Sequence, residues 1–241
     1  MMGDNMQTKQ IYLDDSYLKE IEAKVMEIRD GIILDRTIFY PASGGQPSDT
    51  GLMKGKDDYR VISVEKGEEI IHKVDKLAEI DEKVLLMIDW DKRYAHMRLH
   101  TAIHIISAIA MNEFKARITG NQIGDTGARI DFNFQDWNSD ISKSIEKRAN
   151  EEIAKNHEVS WGYMKREDIL NMEGSVKVDP RLIPNLEILR IVKIGDIDIQ
   201  PDGGTHVKNT SEIGELKIYK IENKGKNNKR MYFTLSGMSQ E

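Results

Sequence analysis

Residues 89–114 read DWDKRYAHMRLHTAIHIISAIAMNEF, and the fold turns on them. From Asp91 to Lys115 there is no Gly or Pro. Met97, Thr101, Ile105, Ala108, Ile109 and Met111 fall on one broad apolar face at helical spacing. This predicts one long, partly buried helix. The chain before it has a different rhythm. IEAKVMEI, GIILDRTIFY, YRVISVE, EIIHKV and KVLLMID are short, rich in β-branched residues and parted by polar or glycine breaks. They predict about five strands in a small barrel or sandwich. Beyond the helix, ITGNQIGDTG reads as a turn, and ARIDFNF alternates at Ile130, Phe132 and Phe134 like a strand. NSDISKSIEKRANEEIAKN predicts a second helix, capped by Ser139 or Asp140, with Ile141, Ile145, Ala149 and Ile153 as its inner stripe. VSWGYM, LEILRIVKIGDIDI, GELKIYKIE and KRMYFTL read as further strands, and REDILNM as a short helix. The expected fold class is therefore α+β. A small N-terminal β-barrel occupies residues 1–90. An α/β-sandwich with an antiparallel sheet, built on the long histidine-bearing helix, occupies residues 91–241.

Composition narrows the chemistry. The 241 residues contain no cysteine, which excludes disulfides, thiolate metal sites and a cysteine nucleophile. No run of 18 apolar residues suggests a membrane span, and the first residues lack a signal-peptide core. A cytoplasmic protein is expected. With 35 basic and 41 acidic residues the net charge is −6, so any RNA contact must come from a local patch. ENKGKNNKR, residues 222–230, is the best candidate patch, and is equally the composition of a solvated hairpin tip.

Six histidines are present, and His96, His100 and His104 repeat every four residues along one helix face. Neighbours at this spacing are about 6 Å apart along the axis, so an adjacent pair can converge on one metal ion but all three cannot. The pattern also suits imidazoles satisfied on a partly buried face. Residues 202–206, DGGTH, supply Asp202 and His206 as an oxygen and a nitrogen donor, which with imidazoles suit zinc ahead of manganese or iron. Their glycines allow close backbone approach. The alternative is a turn in which Asp202 caps its own backbone. His72 and His157 read as surface or structural residues, and Trp90, Trp137 and Trp161 as core or domain-interface residues. A third stretch, FYPASGGQPSDTG at 39–51, is the most Gly- and Pro-rich of the chain. Ser43, Gly44, Gly45 and Gln46 there offer backbone amides and a side-chain amide to a carbonyl or phosphate, or simply form a connection between strands.

YPASGGQPSDTG, then HTAIH on a helix, then GGTH followed by NTSEIGELKI, in this order and spacing, resembles the AlaX proteins of medium length. These are free-standing relatives of the editing domain of alanyl-tRNA synthetase. The similarity runs from about residue 15 to 235. It implies an ATP-independent hydrolase that deacylates mischarged tRNA(Ala), chiefly Ser-tRNA(Ala) and, in some members, Gly-tRNA(Ala). It implies one zinc ion per chain, with His100, His104 and His206 matching the family's ligands. The family usually reads CGGTH, and here Asp202 stands in place of that cysteine, so Asp202 is expected as the fourth ligand. Thr119 resembles the family's discriminating threonine, with Gln122 as a second candidate. The scissile ester is expected near the metal, with the Gly44–Gly45 amides stabilising the oxyanion and Gln46 beside them. The expected partner is mischarged tRNA(Ala), with no DNA and no membrane, on a monomer or homodimer. Three rival readings stand beside this one: an editing hydrolase for another aminoacyl-tRNA, a non-catalytic tRNA- or ribosome-binding module, and a small-molecule metallohydrolase.

Overall fold

The computed structural model describes residues 7–76, 80–135, 137–172, 185–225 and 228–238. It divides into two compact units, Met1–Ala95 and His96–Glu241, with the division inside the long helix.

The first unit contains β1 (Lys9–Gln10), β2 (Glu20–Ile28), β3 (Ile32–Leu34), β4 (Arg36–Thr37), β5 (Gly51–Lys54), β6 (Asp58–Lys66), β7 (Ile70–Val74) and β8 (Lys83–Ile88). Six of these close into a barrel in the order β2-β3-β7-β6-β5-β8. The interior comes from strand alternation: Val84, Leu86 and Ile88 of β8 all point inward. In β6 the buried set moves from Tyr59 and Val61 to Val64, because the β6–β7 register shifts between Val61 and Ser63. Sequence patterning missed β5. It has four residues and opens on Gly51, where a Cβ would run into the Met87 carbonyl of β8. Only glycine allows that approach, and glycine hides the strand from its own pattern.

His72 is fully buried, so it is a structural residue and not a surface one. Its Nε2 meets Thr37 Oγ1 at 2.8 Å and its Nδ1 meets the Ile32 carbonyl at 3.0 Å. Burial pushes its pKa down to about 4, so the ring is neutral. The long helix α1 (Trp90–Phe114) opens with Arg93, itself fully buried. Its guanidinium pairs with Asp49 and donates to the carbonyls of Ser16 (3.0 Å) and Ile38 (2.5 Å). Asp49 also accepts the Tyr40 N–H at 2.6 Å. All these groups lie in the first unit.

The second unit contains the rest of α1, β9 (Ile118–Ile123), β10 (Ala128–Phe132), α2 (Ser139–Ala154), β11 (Val159–Lys165), α3 (Arg166–Asn171), β12 (Ile188–Ile194), β13 (Asp198–Pro201), β14 (Leu216–Gly225) and β15 (Asn228–Leu235). Two antiparallel sheets result, β14-β15-β10-β9 and β11-β12-β13. Here α1 is buried nearly all round, at Met97, Leu99, Ala102, Ile103, Ile105, Ile106, Ile109 and Ala110, and not along a single face as its periodicity suggested.

Three local expectations are corrected. ITGNQI is strand β9 and not a turn; Gly120 pairs with Asp131, and the register shift beside it leaves Thr119 as the extra residue of a bulge. The cap of α2 is Asn138, whose side chain accepts the N–H groups of Asp140 (2.9 Å) and Ile141 (3.2 Å), and not Ser139 or Asp140. Trp161 is no core residue: it is 44% exposed on β11. Among the described residues no helix is long and apolar enough to cross a membrane.

Candidate metal centre

Four side chains from two chain segments meet in the second unit. His100 and His104 lie one turn apart on α1, and Asp202 and His206 bracket the glycine loop after β13. One ligand atom from each lies within 4.8 Å of all the others. Asp202 Oδ2 is 3.4 Å from His100 Nε2 and 3.7 Å from His104 Nε2, and Oδ1 is 3.0 Å from His206 Nε2. An ion bound tetrahedrally at about 2.0–2.2 Å places its ligands about 3.3–3.6 Å apart. The donor spacing therefore fits a small divalent cation. All three histidines are buried.

The backs of the rings decide which nitrogens face inward. His104 Nδ1 meets Asp198 Oδ2 at 2.8 Å, so Nδ1 donates there and Nε2 is the nitrogen turned toward the cluster. Thr101 Oγ1 gives its proton to the Met97 carbonyl at 2.9 Å. It can then only accept from His206 Nδ1 at 3.2 Å, which again leaves Nε2 as the inward acceptor. Gln200 supports Asp198 with a 3.0 Å hydrogen bond. Composition and periodicity carried no signal for Asp198, Gln200 or Thr101 in these supporting positions; only the strand register brings the first two onto the helix.

The electrostatics suit a cation. Burial opposes charge on His104, but Asp198 and Asp202 outweigh it and lift the pKa to about 9. Burial and the neighbouring His100 push His206 down to about 3. Burial likewise opposes charge on Asp202, yet the surrounding imidazoles hold it well below the usual carboxylate range. A cation entering the cluster therefore competes with a proton on His104.

DGGTH is thus both of the loops its sequence allowed. Asp202 Oδ1 accepts the Gly204 N–H at 2.5 Å, closing the turn on itself, while the same carboxylate faces the histidines. Gly204 is compelled: a Cβ there would overlap the His100 ring and come within 2.9 Å of Asp202 Oδ1. Gly203 has nothing within 4 Å of its Cβ position.

The other predicted residues lie elsewhere. His96 Nε2 meets Asp125 at 3.3 Å and takes no part in the cluster, as the axial spacing required. Thr119 Oγ1 donates to Asn228 Oδ1 at 3.2 Å, and Gln122 Oε1 accepts from Arg129 (3.0 and 3.2 Å); these bonds lead to β15 and β10 and not to the four ligands. In the first unit, Gly44 (φ 58°) and Gly45 (φ 89°) are the centre of a two-residue hairpin turn closed by paired Ser43–Gln46 backbone bonds of 3.1 and 2.9 Å. Gln46 is buried beneath that turn. In the basic hairpin, Lys224 pairs with Glu222, Arg230 with Asp131, and Lys229 meets Asn223, so these charges are already engaged; Lys226 lies outside the described residues.

Comparison with known proteins adds to this geometry. Residues 189–232 match the threonyl and alanyl tRNA synthetase second additional domain, and residues 4–92 match the class II (A) tRNA synthetases. The chain is 46% identical to the alanyl-tRNA editing protein AlaX-M of Saccharolobus solfataricus, over 95% of this chain and 99% of that one. It is 40% identical to AlaX-M of Methanosarcina mazei, over 95% and 96% of the two chains. It is also 33% identical to the alanine–tRNA ligase of Thermococcus kodakarensis, where 92% of this chain aligns with 25% of the larger enzyme.

Proposed function

The chain belongs to the AlaX family of alanyl-tRNA editing proteins, and from that premise we propose that it is a trans-editing deacylase. It hydrolyses the ester of mischarged tRNA(Ala), serine first and glycine as a second amino acid, in the cytoplasm. The observation that carries the reading is the convergence of His100, His104, Asp202 and His206, with the inward nitrogens fixed from behind. These four residues would hold one zinc ion, which when bound would supply a Lewis acid for the ester.

The chain's own part is placement. Asp198 and Thr101 keep two imidazoles in the right tautomer, and Gly204 lets the loop close against His100. An aminoacyl ester is activated already, so positioning and electrostatic help suffice without a dedicated nucleophile. Thr119 and Gln122 are proposed as the residues that read the serine hydroxyl. A site that hydrogen-bonds a hydroxyl leaves its polar groups unpaired when alanine enters, which can discriminate by about 10⁴ or more. In the first unit, Gly44, Gly45 and Gln46 are proposed as a substrate-contacting turn, whose backbone amides offer hydrogen bonds to a carbonyl or phosphate oxygen.

The test is deacylation of Ser-tRNA(Ala) beside Ala-tRNA(Ala), with zinc content measured on the same protein by mass spectrometry. Loss of serine with alanine retained is expected, together with stoichiometric zinc. Asp202→Ala is expected to lose both zinc and activity. A zinc-free preparation that deacylates at the full rate would overturn the metal assignment. Intact Ser-tRNA(Ala) in the presence of zinc-loaded protein would overturn the reaction.

A further inference from the structure

The sheet face that backs the ligand cluster continues beyond it. Strand register aligns Gln200, Val192 and Trp161 in one row across β13, β12 and β11. The next row pairs Arg190 with Tyr163, and the Asp202 N–H donates to the Arg190 carbonyl at 3.1 Å, extending that row to the ligand loop. Residues paired across antiparallel strands share a face. Two strand spacings place the Tyr163 backbone about 10 Å from that of Asp202. At the inner end the face is closed, with Gln200 buried beside His104. At the outer end it is open, with Trp161 44% and Tyr163 59% exposed.

The two ends are physically linked. Arg190 Nη1 donates to the carbonyls of Asp202 (2.9 Å) and Gly204 (3.3 Å), while its guanidinium stands 5.5 Å from the centre of the Trp161 ring. The Trp161 and Tyr163 rings are 6.0 Å apart and nearly perpendicular. Lys165, exposed, follows on the same strand face. Two open aromatic rings beside a guanidinium and an ammonium match a flat π-system that carries a phosphate, which is the chemistry of an unpaired nucleotide.

We propose that Trp161 and Tyr163 form the stacking site for the unpaired terminal base of the tRNA 3′ end, with Arg190 and Lys165 facing its phosphate. The inference rests on the deacylase reading of the cluster. Base and ester hang from the same ribose, so a base site about one nucleoside from the ligands is what such a substrate requires. Neither ring touches the reacting atoms; both position them.

The test separates binding from chemistry. A fluorescent RNA hairpin ending in single-stranded CCA is titrated into the full-length protein, beside the same hairpin with an abasic 3′ nucleotide. Wild-type protein should bind the abasic RNA at least about five-fold more weakly, the lower end of the loss expected for one stacked base. Trp161→Ala and Tyr163→Ala should weaken the intact RNA by a similar factor and should no longer distinguish it from the abasic one. Trp161→Phe should restore most of the difference, and circular dichroism should show all variants folded. In deacylation, the alanine variants should raise KM while zinc content stays unchanged. The proposal falls if Trp161→Ala binds like wild type. It also falls if the abasic RNA binds like the intact one, or if the variant instead converts a dimer to a monomer, which would make the face a contact between copies. A wild-type protein that binds RNA through Trp161 but leaves Ser-tRNA(Ala) intact keeps the stacking site and overturns the deacylase reading alone.

Discussion

Two adjacent glycines offer a controlled perturbation of the ligand loop. Gly204→Ala puts a Cβ into the His100 ring and within 2.9 Å of Asp202 Oδ1, whereas Gly203→Ala puts one into open space. Neither glycine has a left-handed φ, so alanine fits both backbones. Replacing glycine at a compatible position stabilises by about 0.4–1 kcal/mol through the unfolded chain. Overpacking a buried site costs about 1–3 kcal/mol, and His100 is held on a helix buried around it, so it cannot step aside freely. The unfolded-chain gain is common to both variants, so they should differ by the overpacking cost, about 1–3 kcal/mol, with Gly203→Ala at or above wild type. Urea unfolding with a chelator present reads this difference without any contribution from metal. Zinc affinity, measured separately by competition with a chromophoric chelator, should fall at least about ten-fold in Gly204→Ala, because His100 is displaced from the other ligands. Equal midpoints and equal zinc affinity for the two variants would refute the idea that the loop must press on His100.

Removing the carboxylate of Asp198, as Asp198→Ala, frees His104 Nδ1 and should weaken zinc binding by about 10–100-fold while the fold persists, as seen by zinc competition. Asp49→Ala strands the buried Arg93 guanidinium and should cost about 3–5 kcal/mol, read from urea midpoints; a loss below about 1 kcal/mol would mean that the pair is not a buried network. His72 stays neutral in the folded barrel down to about pH 4, whereas it takes up a proton near 6.5 when unfolded. The unfolded state thus binds more protons in that window, and stability falls by about 3 kcal/mol as the pH drops from 6.5 to 4. His72→Asn should be less stable at neutral pH but should lose this part of the slope in stability-against-pH measurements.

Periodicity made much of the architecture legible. The glycine-free run of α1, the apolar alternation of β10 and the stripe of α2 each locate an element where the sequence put it, although α1 is buried nearly all round and Ile141 of the α2 stripe only in part. What stayed hidden depended on partners distant in the chain. β5 needs the Met87 carbonyl to explain Gly51, and the bulge at Thr119 needs β10 to define it. The four clustered residues His100, His104, Asp202 and His206 are marked by donor chemistry, spacing and family likeness, yet nothing local announces that Asp198 and Gln200 turn toward His104. An exposed tryptophan is equally invisible from sequence, since its composition argues for the core.

The carboxylate at position 202 also has a chemical consequence that spacing alone does not convey. A thiolate ligand can be carried by peroxide to sulfenic and higher acids, and each step loosens the ion it holds. This chain has no thiol anywhere, and the oxygen ligand offered by Asp202 is already at the end of such chemistry. Oxidants that strip metal from a Cys-containing centre would find no sulfur to attack in this cluster, so thiol oxidation is not a route by which an ion held there could be lost.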